Sequence, residues 1–173
     1  MKVACLYFKT KVPLSSVAEV FLKLSPQISL GGSALFIEIG KCHRLYSEQG
    51  FQARCAVILK RLNLTAFVAI ASDVAEAFVK AKYRCADSQL LPLSALVDFA
   101  DPFEKDEKLR KNVSDMVLSF QHLGIKSIAQ FQQIPLSELV SCFGAVSILC
   151  MQRLRKEVEI PWPCWQPAQI ISE

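Results

Sequence analysis

The chain has 173 residues, with 20 lysines and arginines, 16 acids and a formal net charge of +4. This length allows one large or two small domains with a sizeable core. No apolar run approaches the roughly 20 residues of a membrane-spanning helix, and Lys9 and Lys11 interrupt the first apolar stretch, which is not typical of a signal peptide. We therefore expect a cytoplasmic protein that makes no contact with a membrane.

Seven cysteines raise the question of a metal centre or a disulfide framework. The sequence contains no Cys-x-x-Cys pair, the number is odd, and Cys42-His43 is its one adjacent cysteine-histidine pair. Neighbouring side chains in extended backbone point to opposite sides, so this pair does not make a chelating face. The sequence predicts reduced cysteines, no metal site and no cofactor.

In the first half of the chain, short apolar runs alternate with segments in which the apolar residues recur at helical spacing. The runs KVACLYF and TAFVAIA are typical of buried strands, and two glycines between apolar runs predict a hairpin at Gly31-Gly32. The predicted elements are, in chain order, a strand over 2–8, a helix from Pro13 that ends before Pro26, strands over 27–30 and 34–39, a helix over 48–62, a strand over 65–71, and a helix from Ser72 or Asp73 to about Lys82.

This order of elements, β-α-β-β-α-β-α, is that of a split βαβ, ferredoxin-like sandwich. We assign it to residues 1–97, in which Leu90 to Leu93 predicts either an edge strand or a linker. The charged run DFADPFEKDEKLRK then marks a boundary.

The second half of the chain is predicted to be helical. Helical segments over 108–123, 128–131, 136–142 and 146–158 are separated by glycine or proline, which indicates a small helical unit over residues 98–158. The proline-rich stretch PWPCWQP makes residues 159–173 a tail or a linker. The predicted fold class is α+β.

Three segments resemble a known family. The segment SALFIEIGKCHRLYSEQGFQARCAVILKRLNLTAFVAIASDVAEAFVKAKY is similar to the palm of Y-family DNA polymerases, most closely the ImuB branch, with GKCHRLY as the local match. The segments LPLSALVDF and LGIKSIAQFQQIPLSELVSCFG resemble the helix-hairpin-helix thumb of the same family. The resemblance runs in unbroken order from Ile28 to Lys156 and implies a palm followed by an all-helical thumb.

The resemblance also implies that catalysis is lost. Active members hold two Mg²⁺ ions with an aspartate on the first strand and an Asp-Glu pair at a later turn. Here Ser33 and Ala34 stand at that pair, and no acid precedes Glu19. The family's fingers domain is replaced by one short helix. We therefore expect no enzyme activity, and we expect Glu38 to be a solvent-facing acid paired with Lys or Arg.

The helix-hairpin-helix resemblance predicts DNA contacts, because N–H groups at glycine turns and helix N-termini can face phosphates. The alternative is that both glycines are ordinary helix caps and that the basic cluster is solvated. Residues 1–99 hold 12 cations against 7 acids, and residues 100–173 hold 8 against 9, which favours weak, non-specific binding. The candidate contacts are Gly124, Lys126, Ser127, Gly144, Ala145, Ser147, Arg153, Arg155 and Lys156.

One short motif has two interpretations. Gln89, Leu90 and Leu93 in QLLPL resemble peptides that bind the bacterial sliding clamp, but the same residues stand where the family connects palm and thumb. A five-residue apolar match is common by chance, so we favour the connector.

The resemblance implies an inactive adaptor in bacterial translesion synthesis and SOS-type induced mutagenesis. Its implied partners are DNA, an ImuA or RecA-like protein, an error-prone replicative-type polymerase and the sliding clamp. Two alternatives stay open: a protein-binding scaffold without DNA affinity, and a degenerate polymerase that still binds Mg²⁺ through Glu38.

Overall fold

The computed structural model describes residues 2–42, 44–87 and 90–167. The strands and helices follow the predicted chain order, and the α+β prediction is confirmed. The elements are β1 (Val3–Tyr7), α1 (Leu14–Phe21), β2 (Ile28–Leu30), β3 (Ala34–Glu38), α2 (Glu48–Arg61), β4 (Phe67–Ala71), α3 (Val74–Tyr83), α4 (Leu96–Ala100), α5 (Glu107–His122), α6 (Ile128–Gln132), α7 (Leu136–Phe143) and α8 (Ala145–Leu154), with single 3-10 turns at Gly40–Cys42 and Leu93–Ala95.

The strands form one antiparallel sheet of order β2-β3-β1-β4. The central strand β1 places Cys5 opposite Phe36 of β3 on one side and opposite Ala69 of β4 on the other. Helix α1 connects β1 to β2, and helix α2 connects β3 to β4, so each connection skips one strand of the sheet. This is the arrangement of the split βαβ, ferredoxin-like sandwich.

The sheet is covered on both faces, because alternate side chains of each strand point to opposite sides. Ala4 and Leu6 pack with α1 and α2 on the first face. Val3 and Cys5 pack with α3 on the second face. Every strand of such a sheet is predominantly apolar, which explains why its strands appeared in the sequence as continuous apolar runs.

Several helices begin at a polar side chain that caps them. Ser47 accepts a hydrogen bond from the Gly50 N–H at the start of α2 (3.1 Å), and Asp73 accepts one from the Glu76 N–H at the start of α3 (3.0 Å). The longest helix is α5, with 16 residues. Within the described ranges, no helix combines the length and the apolar composition needed to cross a membrane.

Helices α4 to α8 enclose a second core. Phe99, Phe120 and Phe131 lie at its centre, and α3 contributes Ala75 and Val79 to it. Helix α3 is thus shared: one side packs on the sheet and the other on the helical unit. The division at residue 97 stays a prediction, and that position falls inside α4.

The segment from Leu90 to Leu93 is a connector and does not join the sheet. The Leu93 N–H donates to the Lys126 carbonyl (2.9 Å), and the Ile128 N–H donates to the Leu91 carbonyl (3.1 Å). The expected edge strand is therefore wrong, because these backbone groups are taken by the start of α6.

The proline-rich tail lies along the sheet. Trp162 packs on the second face, and Trp165 packs with the core of the first face. The Trp165 N–H donates to the Ile28 carbonyl of the edge strand β2 (2.7 Å).

Candidate functional site

The turn between β2 and β3 is covered by residues 101–105, which we call the closing segment. The Gly32 N–H donates to the Phe103 carbonyl (3.2 Å), and the Ser33 hydroxyl donates to Oε2 of Glu104 (3.0 Å). The Phe103 side chain is buried, and its ring meets that of Phe36 edge-on with 4.9 Å between centroids. The closing segment therefore packs against the position at which the resemblance expects metal-binding acids, where Ala34 is buried, Ser33 is half-buried and Gly32 stays exposed.

Two glycines make this close approach possible. A Cβ at Gly31 would lie 2.9 Å from the Phe36 ring and 3.3 Å from Cα of Phe103, and a Cβ at Gly32 would overlap Oε2 of Glu104. Such distances are shorter than van der Waals contact allows. The Gly-Gly pair thus forms the hairpin turn and also leaves room for the closing segment to pack against it.

An ionic cluster built around the buried Asp98 holds the closing segment in place. Asp98, 2% exposed, accepts hydrogen bonds from Nζ of Lys82 (2.9 Å), Nη2 of Arg110 (3.2 Å) and the Tyr83 hydroxyl (3.2 Å). Oε1 of Glu104 lies 3.8 Å from Nζ of Lys82 and 3.9 Å from Nη2 of Arg110.

The cluster balances two acids with two cations. Burial raises the pKa of the Tyr83 hydroxyl to about 12, and the Asp98 carboxylate adds to the rise, so the phenol stays protonated and donates. These charges satisfy one another, and the cluster anchors the closing segment.

Glu38 lies at the other end of β3 from Ser33. It is 5% exposed, and its carboxylate accepts hydrogen bonds from the N–H groups of Gly40 (2.8 Å) and Lys41 (3.3 Å). The expectation of a solvent-facing acid paired with Lys or Arg is wrong, because the backbone of the following turn satisfies it. Five residues of strand separate Glu38 from Ser33 by roughly 16 Å, so the two do not share one site.

No cluster of three or more potential metal-binding side chains occurs in the part of the chain that the structure describes. The Cys42-His43 pair, from which the sequence analysis expected no metal site, includes His43, which lies outside that part. Cys42 is buried, and Cys142 and Cys164 are exposed thiols.

The first glycine turn of the helical unit is open to solvent. Gly124 has φ +88°, and a Cβ there would meet nothing within 4 Å. Ser127 caps α6 in a capping box: its hydroxyl accepts from the Gln130 N–H (3.3 Å), and Oε1 of Gln130 accepts from the N–H groups of Lys126 (2.8 Å) and Ser127 (3.3 Å). These N–H groups are thus satisfied within the chain, and the exposed Lys126 ammonium is what the turn offers to a phosphate.

The second glycine turn joins α7 to α8. Gly144 has φ +56°, and a Cβ there would also meet nothing within 4 Å. Ala145 is exposed, whereas Ser147 is fully buried and its hydroxyl donates to the Gly144 carbonyl (2.8 Å). Ser147 therefore holds the turn and does not face solvent.

The basic residues at the end of α8 do not form one open patch. Lys156 lies 2.8 Å from Oε2 of Glu76 and 3.7 Å from Oδ2 of Asp73, and the hydrogen bond to Glu76 raises the pKa of Lys156. Burial lowers the pKa of Arg153, and its Nε and Nη1 have no hydrogen-bond partner among the described residues. Arg155 is half exposed and lies 3.8 Å from Glu157.

The Glu76 carboxylate pairs with the Lys156 ammonium, which follows the end of α8. Burial raises the pKa of this carboxyl, but hydrogen bonds from Lys156 and Lys80 outweigh the effect and lower it to about 2. The pair connects α3 to the end of α8, so Lys156 links the two cores instead of standing free for DNA.

The described residues of the clamp-like motif differ in their exposure to solvent. Gln89 lies outside the described residues, Leu90 is 75% exposed, and Leu93 is fully buried. A clamp could reach Leu93 only if the connector left the helical unit. The motif stays a prediction, and the connector interpretation agrees with the hydrogen bonds of Leu91 and Leu93.

The sequence analysis missed the closing segment and its ionic cluster. The charged run around Pro102 was interpreted only as a domain boundary, and no contact with the β2–β3 turn was expected from it. One signal could have found it: Phe103 is a large apolar residue within a run of charges, and such a residue needs a place to be buried.

Comparisons with known proteins identify a fold. No protein-family model matches the chain, and no curated protein matches it significantly. Among solved structures, a chain of a Dbh ternary complex with partially disordered substrates matches with a TM-score of 0.57 and 10% sequence identity, over 93% of this chain and 68% of that one. At this identity the match shows the fold alone, which is polymerase-like.

Proposed function

We propose that this chain is a non-catalytic relative of the Y-family DNA polymerases, of the ImuB type, and that it acts as an adaptor in bacterial translesion synthesis and induced mutagenesis. Dbh, whose fold it shares, is a Y-family polymerase. The ordered resemblance from Ile28 to Lys156 supports the same family. Partners implied by that resemblance are DNA, an ImuA or RecA-like protein, an error-prone replicative-type polymerase and the sliding clamp.

The closed turn between β2 and β3 carries the proposal. Two-metal phosphoryl transfer needs carboxylates that face an open cleft, where the primer end and the triphosphate can meet both ions. Here Ala34 is fully buried, Ser33 is bonded to Glu104, and Phe103 packs beside them. The closing segment packs against this turn, and no carboxylate of the turn itself is present to hold a metal ion, which supports a binding role.

The position of Glu38 argues against a degenerate polymerase. Its carboxylate is buried and bonded to two backbone N–H groups, at the far end of β3 from the closed turn. A single carboxylate so placed does not supply the several oxygen ligands that Mg²⁺ takes from protein and substrate.

DNA contact in this proposal is assigned to the candidate cations that are exposed and not paired with acids of another helix, since Lys156, although half exposed, is held by Glu76. Lys126 stands at the open first turn, and Arg155 has half its side chain in solvent. Two such cations favour weak, salt-sensitive and non-specific binding. The internal pairing of Lys156 and the burial of Arg153 favour the second candidate, a protein-binding scaffold without DNA affinity.

Fluorescence anisotropy separates these two candidates. Single-stranded, double-stranded and primer-template DNA are titrated at two salt concentrations, with wild type and with Lys126→Glu/Arg155→Glu. The matched control is Lys60→Glu/Arg61→Glu, which changes the same charge on exposed residues of α2. We expect the first double variant to weaken binding at low salt by about tenfold and the control to leave it nearly unchanged.

Two other results would change the assignment. No binding of any DNA at low salt would leave the scaffold, and pull-downs with polymerase and clamp proteins would follow. Primer extension with Mg²⁺ and nucleotides, or a rise in melting temperature on adding Mg²⁺ alone, would contradict the non-catalytic proposal.

A further inference from the structure

The two edges of the sheet differ. The β2 edge is met by the tail, since the Trp165 N–H donates to the Ile28 carbonyl (2.7 Å). The opposite edge is β4, and within the described ranges no strand or tail segment pairs with its outer side. An unpaired strand edge is a template for another extended segment.

The register shows which groups of β4 face outward. The Lys2 carbonyl accepts from the Ile39 N–H (2.9 Å) and the Phe8 N–H donates to the Ser33 carbonyl (3.0 Å), so the even-numbered residues on either side of β1, and by alternation those within it, point their backbone groups toward β3. Odd-numbered residues of β1 therefore point toward β4, where they meet the alternate residues Phe67, Ala69 and Ala71.

Val68 and Ile70 are thus the residues whose N–H and C=O groups point away from the sheet. The strand sequence FVAIA contains no charge and no proline, so β4 lacks the features that usually protect an edge from pairing. Its outer side has the chemistry for two or more strand-to-strand hydrogen bonds.

Basic side chains stand beside this edge. A groove of about 420 Å³ runs between β4 and the C-terminal end of α3, and its charged lining residues are Lys80 and Arg84, with no acid among the described residues that line it. The Arg84 guanidinium lies 3.7 Å above the Phe67 ring, and its backbone is left-handed at φ +53° where α3 ends. Lys80 also pairs with Glu76 (2.7 Å), so Arg84 is the freer of the two cations.

The two faces of β4 have chemically different surroundings. Phe67 and Ala69 are on the α3 side, next to the cations. Val68 and Ile70 are on the other side, where Ile58 and other partly buried apolar residues pack. An added strand would present alternate side chains to these two surroundings.

We propose that β4 binds an extended segment of a partner protein in which acidic residues alternate with β-branched apolar residues. The acids face Lys80 and Arg84, and the apolar residues pack beside Val68 and Ile70. The segment adds a fifth strand to the sheet by backbone hydrogen bonds, as in other cases of β-strand addition. A second copy of this chain would bring its own Lys80 and Arg84 to the same edge, so charge disfavours self-pairing. The site is separate from the DNA contacts proposed above.

The test uses the full chain and a labelled, end-capped peptide of sequence Thr-Val-Glu-Val-Glu-Val-Thr. The control peptide has lysine at both glutamate positions. We expect the acidic peptide to bind and to slow amide hydrogen exchange at Val68 and Ile70, whereas the lysine peptide binds about tenfold more weakly. Arg84→Glu should reverse this preference, and Arg61→Glu, an exposed cation on α2, should not.

A second variant tests the backbone bonds. Val68→Pro removes one outward N–H and should weaken binding of the acidic peptide about fivefold, with the melting temperature checked to show that the chain is folded. Equal binding of both peptides, or a preference that Arg84→Glu does not change, overturns the proposal. A dimer in light scattering without peptide that Val68→Pro converts to monomer also overturns it, and assigns the edge to a second copy.

Discussion

Glycine turns serve two different purposes in this chain. At Gly31-Gly32 the missing side chains make room for Phe36, Phe103 and Glu104, and the turn is closed. At Gly124 and Gly144 nothing lies within 4 Å of an added Cβ, and glycine is needed only because φ is positive. The same residue type therefore marks a buried contact in one region and an accessible turn in the other, and only the surrounding contacts tell them apart.

The largest effect is expected when the closed turn loses its aromatic cover. Phe103→Ala removes a buried ring that packs on Phe36 and should lower the free energy of unfolding by about 4 kcal/mol. Urea unfolding measures the loss, with Lys108→Ala, an exposed residue of α5 outside the closing segment, as the control. A loss as small as that of the control would mean that the turn is open in solution.

The ionic cluster behind the closing segment should come next. Asp98→Ala leaves Lys82, Arg110 and the Tyr83 hydroxyl without their buried acceptor, and should cost about 3 kcal/mol. Asp115→Ala removes an exposed acid from α5 and serves as the reference in the same unfolding experiment. Equal stability of the two variants would show that the cluster does not hold the segment.

A direct comparison of the two kinds of turn uses alanine at one glycine of each. Gly31→Ala must displace the Phe36 ring and should cost about 2 kcal/mol. The added Cβ of Gly124→Ala has free space, so only the positive φ lowers the free energy of unfolding, by about 1 kcal/mol. Thermal unfolding of both variants checks the order, and the reverse order would contradict the distinction between closed and open turns.

The smallest effect on stability concerns the ion pair between Glu76 of α3 and Lys156 after the end of α8. The pKa of Glu76 lies near 2 in the folded chain against an ordinary 4.5, so this carboxylate adds stability above pH 4.5 that is lost as the pH falls toward 2. Because Lys156 is half exposed, we expect the contribution to be about 1 kcal/mol. Urea unfolding between pH 7 and 2.5 should show this part of the pH dependence in wild type and not in Glu76→Gln.

The same variant also sharpens the DNA question. In Glu76→Gln, Lys156 loses its nearest carboxylate and keeps the Ser72 hydroxyl (2.6 Å) and Asp73 (3.7 Å), so its positive charge near the end of α8 is less neutralised. If the helical unit holds DNA, affinity at low salt should rise about twofold to threefold. An unchanged or lower affinity would place the DNA contacts elsewhere or remove them.

Local patterns were enough to predict the element order. The apolar runs of β1 and β4, the Gly31-Gly32 turn and the start of α3 at Asp73 depend on neighbours in sequence, and each was placed correctly. The buried Glu38 was not, because its partners are backbone N–H groups whose positions depend on the turn that follows β3.

The closing segment shows why the rest of the site could not be predicted. Glu104 meets Ser33, 71 positions earlier in the chain, and its cationic neighbours come from two different helices. Periodicity and composition describe a residue by its neighbours in sequence, whereas this acid is defined by distant residues that only the fold brings together. For the open turns, the sequence located Gly124 and Gly144 correctly, but DNA binding at these turns stays a prediction.

The sheet's two faces are completed at different times during synthesis. The elements of the first face, β1 to β4 with α1 and α2, have all been translated once Ala71 is made. The second face waits for α3, then for Phe103, and finally for Trp162. Chains emerge from the ribosome N-terminus first, so a nascent chain exposes one apolar side of a nearly finished sheet until α3, Phe103 and Trp162 have been made. A ribosome that stalls before residue 103 would hold a sheet whose second face attracts chaperones or other strands.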